Sequence, residues 1–190
     1  DIDNPVIFEI GSADGKDTKE FIETFSESNF ELYCFEPDSR NLSVFKNEIR
    51  DARVSLFEGV VSNVDGEVDF YTSTHNRETG QEFIYSSSMR QPGDKLFQTW
   101  PEFQDRDNFK KCKVNSTTLD SFVRNNKIKH INFIWMDCQA VDDLVIEGGR
   151  WTFDNIVKYL YTEVNNEDIY INAPSLTKIL SMLPNYEIVY

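Results

Sequence analysis

Cysteine, long apolar runs and positive charge are all scarce in this 190-residue sequence. Its three cysteines, Cys34, Cys112 and Cys138, form no even set and have no C-x-x-C spacing, so a disulfide framework is not predicted. No apolar run approaches the ~20 residues of a membrane helix, and no signal peptide is visible. We therefore expect a protein of a reducing compartment, the cytoplasm, without a transmembrane segment. Because the chain starts at Asp1 rather than Met, its targeting stays open.

Lysine and arginine together number 19 against 33 acidic residues, a formal net charge of −14. Binding to DNA or RNA depends on cationic side chains that neutralise phosphates, so we expect no nucleic-acid partner. Hydrophobic residues make up 39% of the chain and aromatic residues 14%, which is typical of a globular protein. The length predicts one domain over residues 1–190, with a sizeable core. Oligomeric state is not predicted.

The beginning of the chain has the pattern of a nucleoside site in an α/β sheet. An apolar run over residues 6–10 predicts a buried parallel strand, and a turn with Gly11 and Gly15 follows it. A helical pattern begins at Lys16, and a second apolar run ends in the acid Glu36. Glycines let the backbone approach a ligand closely, and an acid at the end of the next strand binds ribose hydroxyls.

The spacing of the glycines decides against a dinucleotide. The third glycine of G-x-G-x-x-G is missing, and the acids Glu9 and Asp14 stand where a pyrophosphate needs positive charge. S-adenosylmethionine, which carries a sulfonium and an ammonium group, fits this acidic turn better. A nicotinamide-dependent oxidoreductase is the less favoured interpretation.

Alternation of strands and helices predicts the fold class. We expect a three-layer α/β/α fold with a doubly wound, mostly parallel sheet and ligands at the carboxyl ends of its strands. The predicted strands are 6–10, 32–36, 54–57 with its continuation to 63, 67–72, 113–117, 131–136, 157–164 and 187–190. The predicted helices are 16–27, 37–49, one from 119, 142–148 and 174–183. The polar residues at predicted strand ends are Glu9, Glu36, Ser62, Asp137 and Glu163.

Residues 73–111 differ from the rest of the chain. This stretch is polar, has little periodicity, and predicts a variable loop or lid inserted in the domain. Its aromatic residues could stack on a sugar ring, or could pack the loop onto its own domain. They are Tyr85, Phe97, Trp100 and Phe103.

Several motifs together resemble the FkbM-type methyltransferases, S-adenosylmethionine-dependent enzymes of the Rossmann-like class I fold. They are Phe8-Glu9-Ile10-Gly11 with Gly15, Phe35-Glu36-Pro37, Val60-Val61-Ser62-Asn63 with Gly66-Glu67-Val68, Thr118-Leu119-Asp120, and Ile134-Trp135-Met136-Asp137-Cys138-Gln139. The likeness extends over nearly the whole chain. It implies O-methylation of a hydroxyl on a sugar, a glycan or a small metabolite.

The resemblance also implies roles for individual residues. Glu36 would hold the ribose hydroxyls, and Asp137 would face the sulfonium methyl group and the acceptor. The cofactor contacts implied are Glu9, Gly11, Ala13, Gly15, Glu36, Pro37, Val61, Ser62 and Asp137.

Two acids are candidates for the catalytic base. Asp137 and Glu163 end adjacent predicted strands, so either could remove the hydroxyl proton. With Asp142 they could instead hold a divalent metal such as magnesium. The structural alternative for Asp137 is a helix cap, and that for Glu163 is pairing with a lysine.

The chain departs from the family pattern beside Asp137. Ala140-Val141-Asp142 stands where members usually have Gly-Ala-Glu, and Trp135 stands where many have lysine. These departures keep a second hypothesis open, a non-catalytic S-adenosylmethionine-binding module whose acceptor site has decayed.

Overall fold

A computed structural model describes residues 3–164 and 168–189 of the chain. Its main sheet is five-stranded and parallel throughout. The strands are β1 (Val6–Ile10), β2 (Glu31–Glu36), β3 (Val54–Glu58), β7 (Ile131–Met136) and β8 (Val157–Thr162). Their order across the sheet is β3-β2-β1-β7-β8, so β1 lies at the centre between the two strands that end in Glu36 and Met136.

Helices cover both faces of this sheet. Helices α1 (Lys16–Thr24) and α2 (Ser39–Glu48) pack on the face that carries Ile7. The opposite face, which carries Phe8, is covered by α4 (Leu119–Asn125), α5 (Asp142–Gly148), α6 (Arg150–Asn155) and α7 (Leu176–Met182). Successive strand residues point to opposite faces, which is why neighbouring residues of β1 belong to different core clusters. The predicted doubly wound, three-layer α/β/α fold is confirmed.

A second, three-stranded sheet interrupts the predicted order. It contains β4 (Val60–Ser62), β5 (Gly66–Ser73) and β6 (Phe109–Thr118), arranged β4-β6-β5. The sequence predicts one run from 54 to 63, but the chain leaves the main sheet at Gly59. A side chain there would meet the Asn115 carbonyl oxygen of β6 at 2.5 Å, so only glycine allows the second sheet to approach. Ser62 therefore ends a strand of the second sheet and not of the main one.

The segment 74–108, which links β5 to β6, is shorter and more ordered than the loop predicted over 73–111. It contains α3 (Asp94–Thr99) and two short 3-10 turns, Pro101–Phe103 and Arg106–Asn108. Phe103 and Leu96 are buried in a hydrophobic cluster separate from the main core, which also includes Ile169 and Tyr170, and Phe97 packs against it. Tyr85 and Trp100 stay exposed. Of the predicted aromatic residues, Phe97 and Phe103 therefore serve packing, and the other two remain open to a ligand.

The bounds of several elements differ from the predictions, and helix α6 has no predicted counterpart. Helix α1 ends at Thr24, and β8 ends at Thr162, one residue before Glu163. The last predicted strand is wrong over 187–189, where Ile188 and Val189 are exposed and no strand forms. Tyr190 lies outside the described residues. None of the helices in the described ranges is both long and apolar enough to cross a membrane.

The Thr118-Leu119-Asp120 motif has a structural role. The Thr118 side chain accepts a hydrogen bond from the Ser121 amide and caps α4, and Leu119 is fully buried in the core. The Asp120 carboxylate accepts hydrogen bonds from the Trp151 and Thr152 amides at 3.2 and 2.9 Å. It thereby caps α6, whose own N-cap, Gly149, has no side chain to do so. The motif therefore joins two neighbouring helices.

We expect Asp120→Ala to lower the free energy of unfolding by about 1–2 kcal/mol, the usual cost of a lost N-cap. Chemical denaturation measures this. Asp154→Ala is the matched control, because Asp154 belongs to the same helix and forms only an exposed ion pair at 3.8 Å with Arg150. Equal stability of the two variants would contradict the capping role.

Candidate active site

A cavity of about 360 Å³ opens at the carboxyl ends of β1, β2 and β7. The turn after β1 forms one wall, and the residues that follow β2 and β7 form two others. The predicted cofactor residues that line it are Gly11, Ala13, Glu36, Pro37, Val61 and Asp137. This is the crevice in which α/β sheets bind their ligands.

Gly11 controls how closely the glycine turn approaches β7. Its φ of +93° lies in the left-handed region, and a side chain there would lie 1.9 Å from the Asp137 carbonyl oxygen. On the other side, the amides of Gly11 and Ser12 both donate to the Phe35 carbonyl oxygen, at 3.0 and 3.1 Å. The turn therefore touches the ends of both neighbouring strands, and no residue larger than glycine fits.

The Glu36 carboxylate joins the two turns that form the cavity. One oxygen accepts a hydrogen bond from the Ala13 amide at 3.0 Å, and the other accepts from the Asp38 amide at 2.8 Å and the Asn41 side chain at 3.3 Å. Burial raises the pKa of Glu36 to about 7. The acid predicted from the end of β2 is thus fixed in the cavity wall by backbone donors.

Two further polar residues line the cavity and have unsatisfied atoms. Ser12 Oγ and Asn41 Oδ1 are buried without a hydrogen-bond partner in the described part of the chain. Buried polar atoms are nearly always paired, so these two indicate a ligand surface. Sequence reasoning missed both as site residues. Ser12 could have been found from its place in the glycine turn, but nothing in the sequence marks Asn41.

Glu9 is not among the residues that line the cavity. Strand alternation turns its side chain to the α1 face, away from Phe8 and Ile10, and leaves it 1% exposed. One carboxylate oxygen accepts hydrogen bonds from the Thr18 hydroxyl at 2.6 Å and the Cys34 thiol at 3.3 Å. Burial raises the pKa of Glu9 to about 7. Its contacts are those of an acid that joins helix α1 to the sheet.

Gly15 and Ser62 also lie outside the cavity lining. Gly15 precedes α1 with φ +86°, and a side chain there would meet Ile49 and Phe45 of the neighbouring helix region at 2.9 and 3.0 Å. The Ser62 hydroxyl is fully buried and shares a 2.7 Å hydrogen bond with the Ser116 hydroxyl of the second sheet. Both positions shape the walls around the cavity.

A second cavity of about 300 Å³ adjoins the first. Asp137, Gln139 and Tyr85 line both cavities, so they form the boundary between them. Glu163 and Trp100 line only the second. The prediction that Asp137 and Glu163 end adjacent strands is correct for the strands, because β7 pairs with β8, but each acid is the first residue after its strand.

Asp137 is half-buried at this boundary. Burial raises the pKa of its carboxyl group to about 6, with a further contribution from the negative charge of Glu163. The Gln139 side chain donates to the carboxylate at 3.1 Å. The alternative role as a helix cap is not observed, because the N-cap of α5 is Val141 and has no side-chain cap hydrogen bond.

Gln139 is held by residues from distant parts of the chain. Gln139 and the following Ala140 both have left-handed backbone angles, φ +54° and +67°. The Ser88 hydroxyl donates to the Gln139 carbonyl oxygen at 2.7 Å, and the Tyr170 hydroxyl lies 3.2 Å from Oε1 of the Gln139 side chain. Glycine, usual in the family at position 140, would adopt this conformation more easily than alanine.

The predicted metal set of Asp137, Asp142 and Glu163 is not assembled. Asp142 is 2% exposed, and its carboxylate accepts hydrogen bonds from the Thr162 hydroxyl at 2.6 Å and from the Cys138 thiol at 3.6 Å. Across residues 3–164 and 168–189, no group of three or more His, Cys, Asp or Glu side chains is placed to hold a metal ion. The expectation of a three-carboxylate site is corrected accordingly.

Comparison with known proteins identifies the family. The family model described as "Methyltransferase FkbM domain" matches residues 9–189. The chain belongs to the FkbM methyltransferase family. Its resemblance to this family in motifs and fold is thereby confirmed, as is the expectation of a methyltransferase at the level of the family.

One sequence relative and one solved structure are similar to this chain. It is 31% identical over 188 residues to the 2-O-methyltransferase NoeI of Sinorhizobium fredii (strain NBRC 101917 / NGR234), covering 98% of this chain and 74% of that protein. It also resembles the crystal structure of methyltransferase FkbM from Methylobacillus flagellatus KT, with a TM-score of 0.57 at 14% identity. That match covers 97% of this chain but only 39% of the other, and at this identity it supports the fold alone.

We expect Glu9→Gln to flatten the pH dependence of stability. In the wild-type protein the folded state keeps a proton on Glu9 up to pH about 7, whereas the unfolded chain releases it near 4.5. The folded state then binds more protons, so stability falls as the pH rises between these values, by about 3 kcal/mol from this group.

A glutamine can accept the same hydrogen bonds from Thr18 and Cys34 through its carbonyl oxygen, and it does not ionise. Denaturant unfolding from pH 4.5 to 7.5 measures the difference. Wild-type and Glu9→Gln curves that run parallel over this range would contradict the burial of an ionisable Glu9.

Proposed function

We propose that this protein is an S-adenosylmethionine-dependent O-methyltransferase that acts on a hydroxyl of a sugar, a glycan or a small metabolite. The observation that carries the proposal is the position of Asp137. Asp137 lines both the cavity formed by the glycine turn and Glu36 and the second cavity that adjoins it. A methyl donor and an acceptor in these two cavities would meet at this acid.

The residues of the first cavity suit S-adenosylmethionine. Glu36 stands where the family's ribose-binding acid is expected, and the unsatisfied atoms of Ser12 and Asn41 can pair with polar groups of the donor. Charge favours the cationic end of this cofactor, because four acids line the cavity, Asp14, Asp17, Glu36 and Asp137, against the one lysine Lys16 among the described lining residues. Of the two acids predicted to repel a pyrophosphate, Asp14 lines the cavity and Glu9 does not, while Asp17, which was not predicted, does.

Bound there, S-adenosylmethionine would supply a methyl group on a positively charged sulfur. Asp137 is ionised above its pKa of about 6 and can then accept the proton of an acceptor hydroxyl. A general base contributes about 10²–10⁴-fold to such reactions. Alignment of donor and acceptor contributes on the order of 7–11 kcal/mol, and the two adjoining cavities provide the positions for it.

The relative NoeI supports oxygen as the acceptor atom, since its name is 2-O-methyltransferase. We further propose that residues 1–190 act as one domain in which the stretch predicted as a lid, 73–111, forms the acceptor side. Tyr85 and Trp100 from this stretch line the second cavity. The alternative function is the non-catalytic binding module with a decayed acceptor site. Such a module would bind S-adenosylmethionine but would not consume it, which distinguishes it from a methyltransferase.

We expect Glu36→Gln to weaken binding of S-adenosylhomocysteine about 10–100-fold, the usual value of a charged hydrogen-bonding group. Titration calorimetry measures it, with NAD as the negative ligand. Glu58→Gln is the matched control, because Glu58 pairs in register with Glu36 on the next strand but forms an exposed ion pair with Lys46. If Glu36→Gln bound S-adenosylhomocysteine with the affinity of the wild-type protein, the cofactor assignment would be contradicted.

We expect the Asp137 carboxyl group to titrate near pH 6, well above the usual value for aspartate, because it is buried beside Glu163. Carbon-13 NMR of labelled aspartate side chains, assigned with Asp137→Asn, measures this. Glu163→Gln removes a neighbouring negative charge and should lower the midpoint. Methyl transfer should rise with pH through the same midpoint and fall by about 10²–10⁴-fold in Asp137→Asn. A midpoint near 4 in the wild-type protein would argue against Asp137 as the base.

A further inference from the structure

We propose that the second cavity is the subsite of the methyl acceptor and that it accepts a single ring alcohol without negative charge. This inference rests on the proposed function, because it needs a methyl donor in the first cavity. The two cavities share Asp137, Gln139 and Tyr85, so a molecule in the second reaches the same carboxylate as a donor in the first.

The size of the second cavity limits the acceptor. Its volume of about 300 Å³ is at the lower end of the roughly 300–1,000 Å³ found for small-molecule sites. One ring fits such a space, and a longer chain would have to continue into solvent. Leu96 and Phe103 form part of the wall and belong to the buried cluster of the segment 74–108, so this wall is fixed by packing.

The charge of the lining gives the selectivity. The ionisable side chains that line the cavity are Asp137, Asp142, Glu163, Tyr85 and Tyr170, and no lysine, arginine or histidine is among the described lining residues. Arg90 lies two residues after Ser88, which contacts Gln139, but its guanidinium donates to both oxygens of Asp143, at 2.7 and 2.8 Å, and is paired there. A carboxylated or phosphorylated acceptor would face acids without a counter-charge, whereas alcohol hydroxyls can donate to them.

Aromatic side chains provide a surface for the ring. Trp100 is 39% exposed and Tyr85 is 56% exposed, although both are large and largely apolar. Exposed apolar area at the rim of a cavity indicates a binding surface. The faces of these rings can cover the C–H groups of a ring alcohol, while Glu163 and Gln139 serve its hydroxyls. Both polar and apolar parts of such a molecule therefore have partners here.

Three matched probes test the proposal on protein saturated with S-adenosylhomocysteine. They are methyl β-glucopyranoside, the corresponding methyl glucuronide, which has a carboxylate, and methyl β-glucosaminide, which has an amine. Saturation-transfer NMR should show that the glucoside and the glucosaminide bind. The affinity for the glucuronide should be at least tenfold lower than that for the glucoside. Glu163→Gln removes one negative charge from the lining, so it should reduce the difference in affinity between the glucoside and the glucuronide. Trp100→Ala should abolish binding of all three probes, whereas Trp151→Ala, an exposed tryptophan of α6, should leave it unchanged.

The possible failures are distinguishable. Glucuronide binding equal to that of the glucoside would overturn the charge preference. Binding of S-adenosylhomocysteine without any of the three sugars, or sugar binding unaffected by Trp100→Ala, would overturn the acceptor subsite and leave the cofactor assignment intact. Failure to bind S-adenosylhomocysteine would instead reject the proposed function, and the acceptor subsite with it.

Discussion

The close contact between Gly11 and the backbone of Asp137 is the constraint on which the rest of the site depends. The Asp137 amide donates to the Ile10 carbonyl oxygen at 3.0 Å, which keeps the ends of β1 and β7 paired beyond the strands themselves. With no side chain at Gly11, the glycine turn can lie directly against this point. The glycine turn and the candidate base are therefore parts of one rigid junction at the centre of the sheet.

The central sheet and half of the site could be predicted because they depend on local patterns. Apolar runs located the strands, and the acid at the end of β2 and the one after β7 reach the cavity as expected. Glu9 shows that a position near the end of a strand does not by itself place a side chain in the cavity. It is one residue from the end, and the alternation of side chains turns it beneath α1. Ser62 shows another limit, since no local signal reveals that its strand joins a different sheet.

The second half of the site depends on tertiary contacts that the sequence does not mark. The sequence of the segment 74–108 is typical of a polar loop, yet several of its side chains are buried in a small hydrophobic cluster. Gln139 and Ala140 both adopt left-handed angles, Ala140 at the position where family members usually have glycine, and Ser88 and Tyr170 form hydrogen bonds to Gln139. Similarly, Asp142 resembles a metal ligand in sequence, and only its contact with Thr162 shows where its carboxylate is used.

The anchoring of Gln139 has a consequence for how this fold can diversify. The loop after β7 is held by a serine from the segment 74–108 and by a tyrosine from the chain beyond β8, so the conformations of these three segments depend on one another. Grafting the segment 74–108 alone into a related protein would release the strained residues that it restrains. A sequence change in one of these three segments therefore acts on the backbone of the other two, although they lie far apart along the chain.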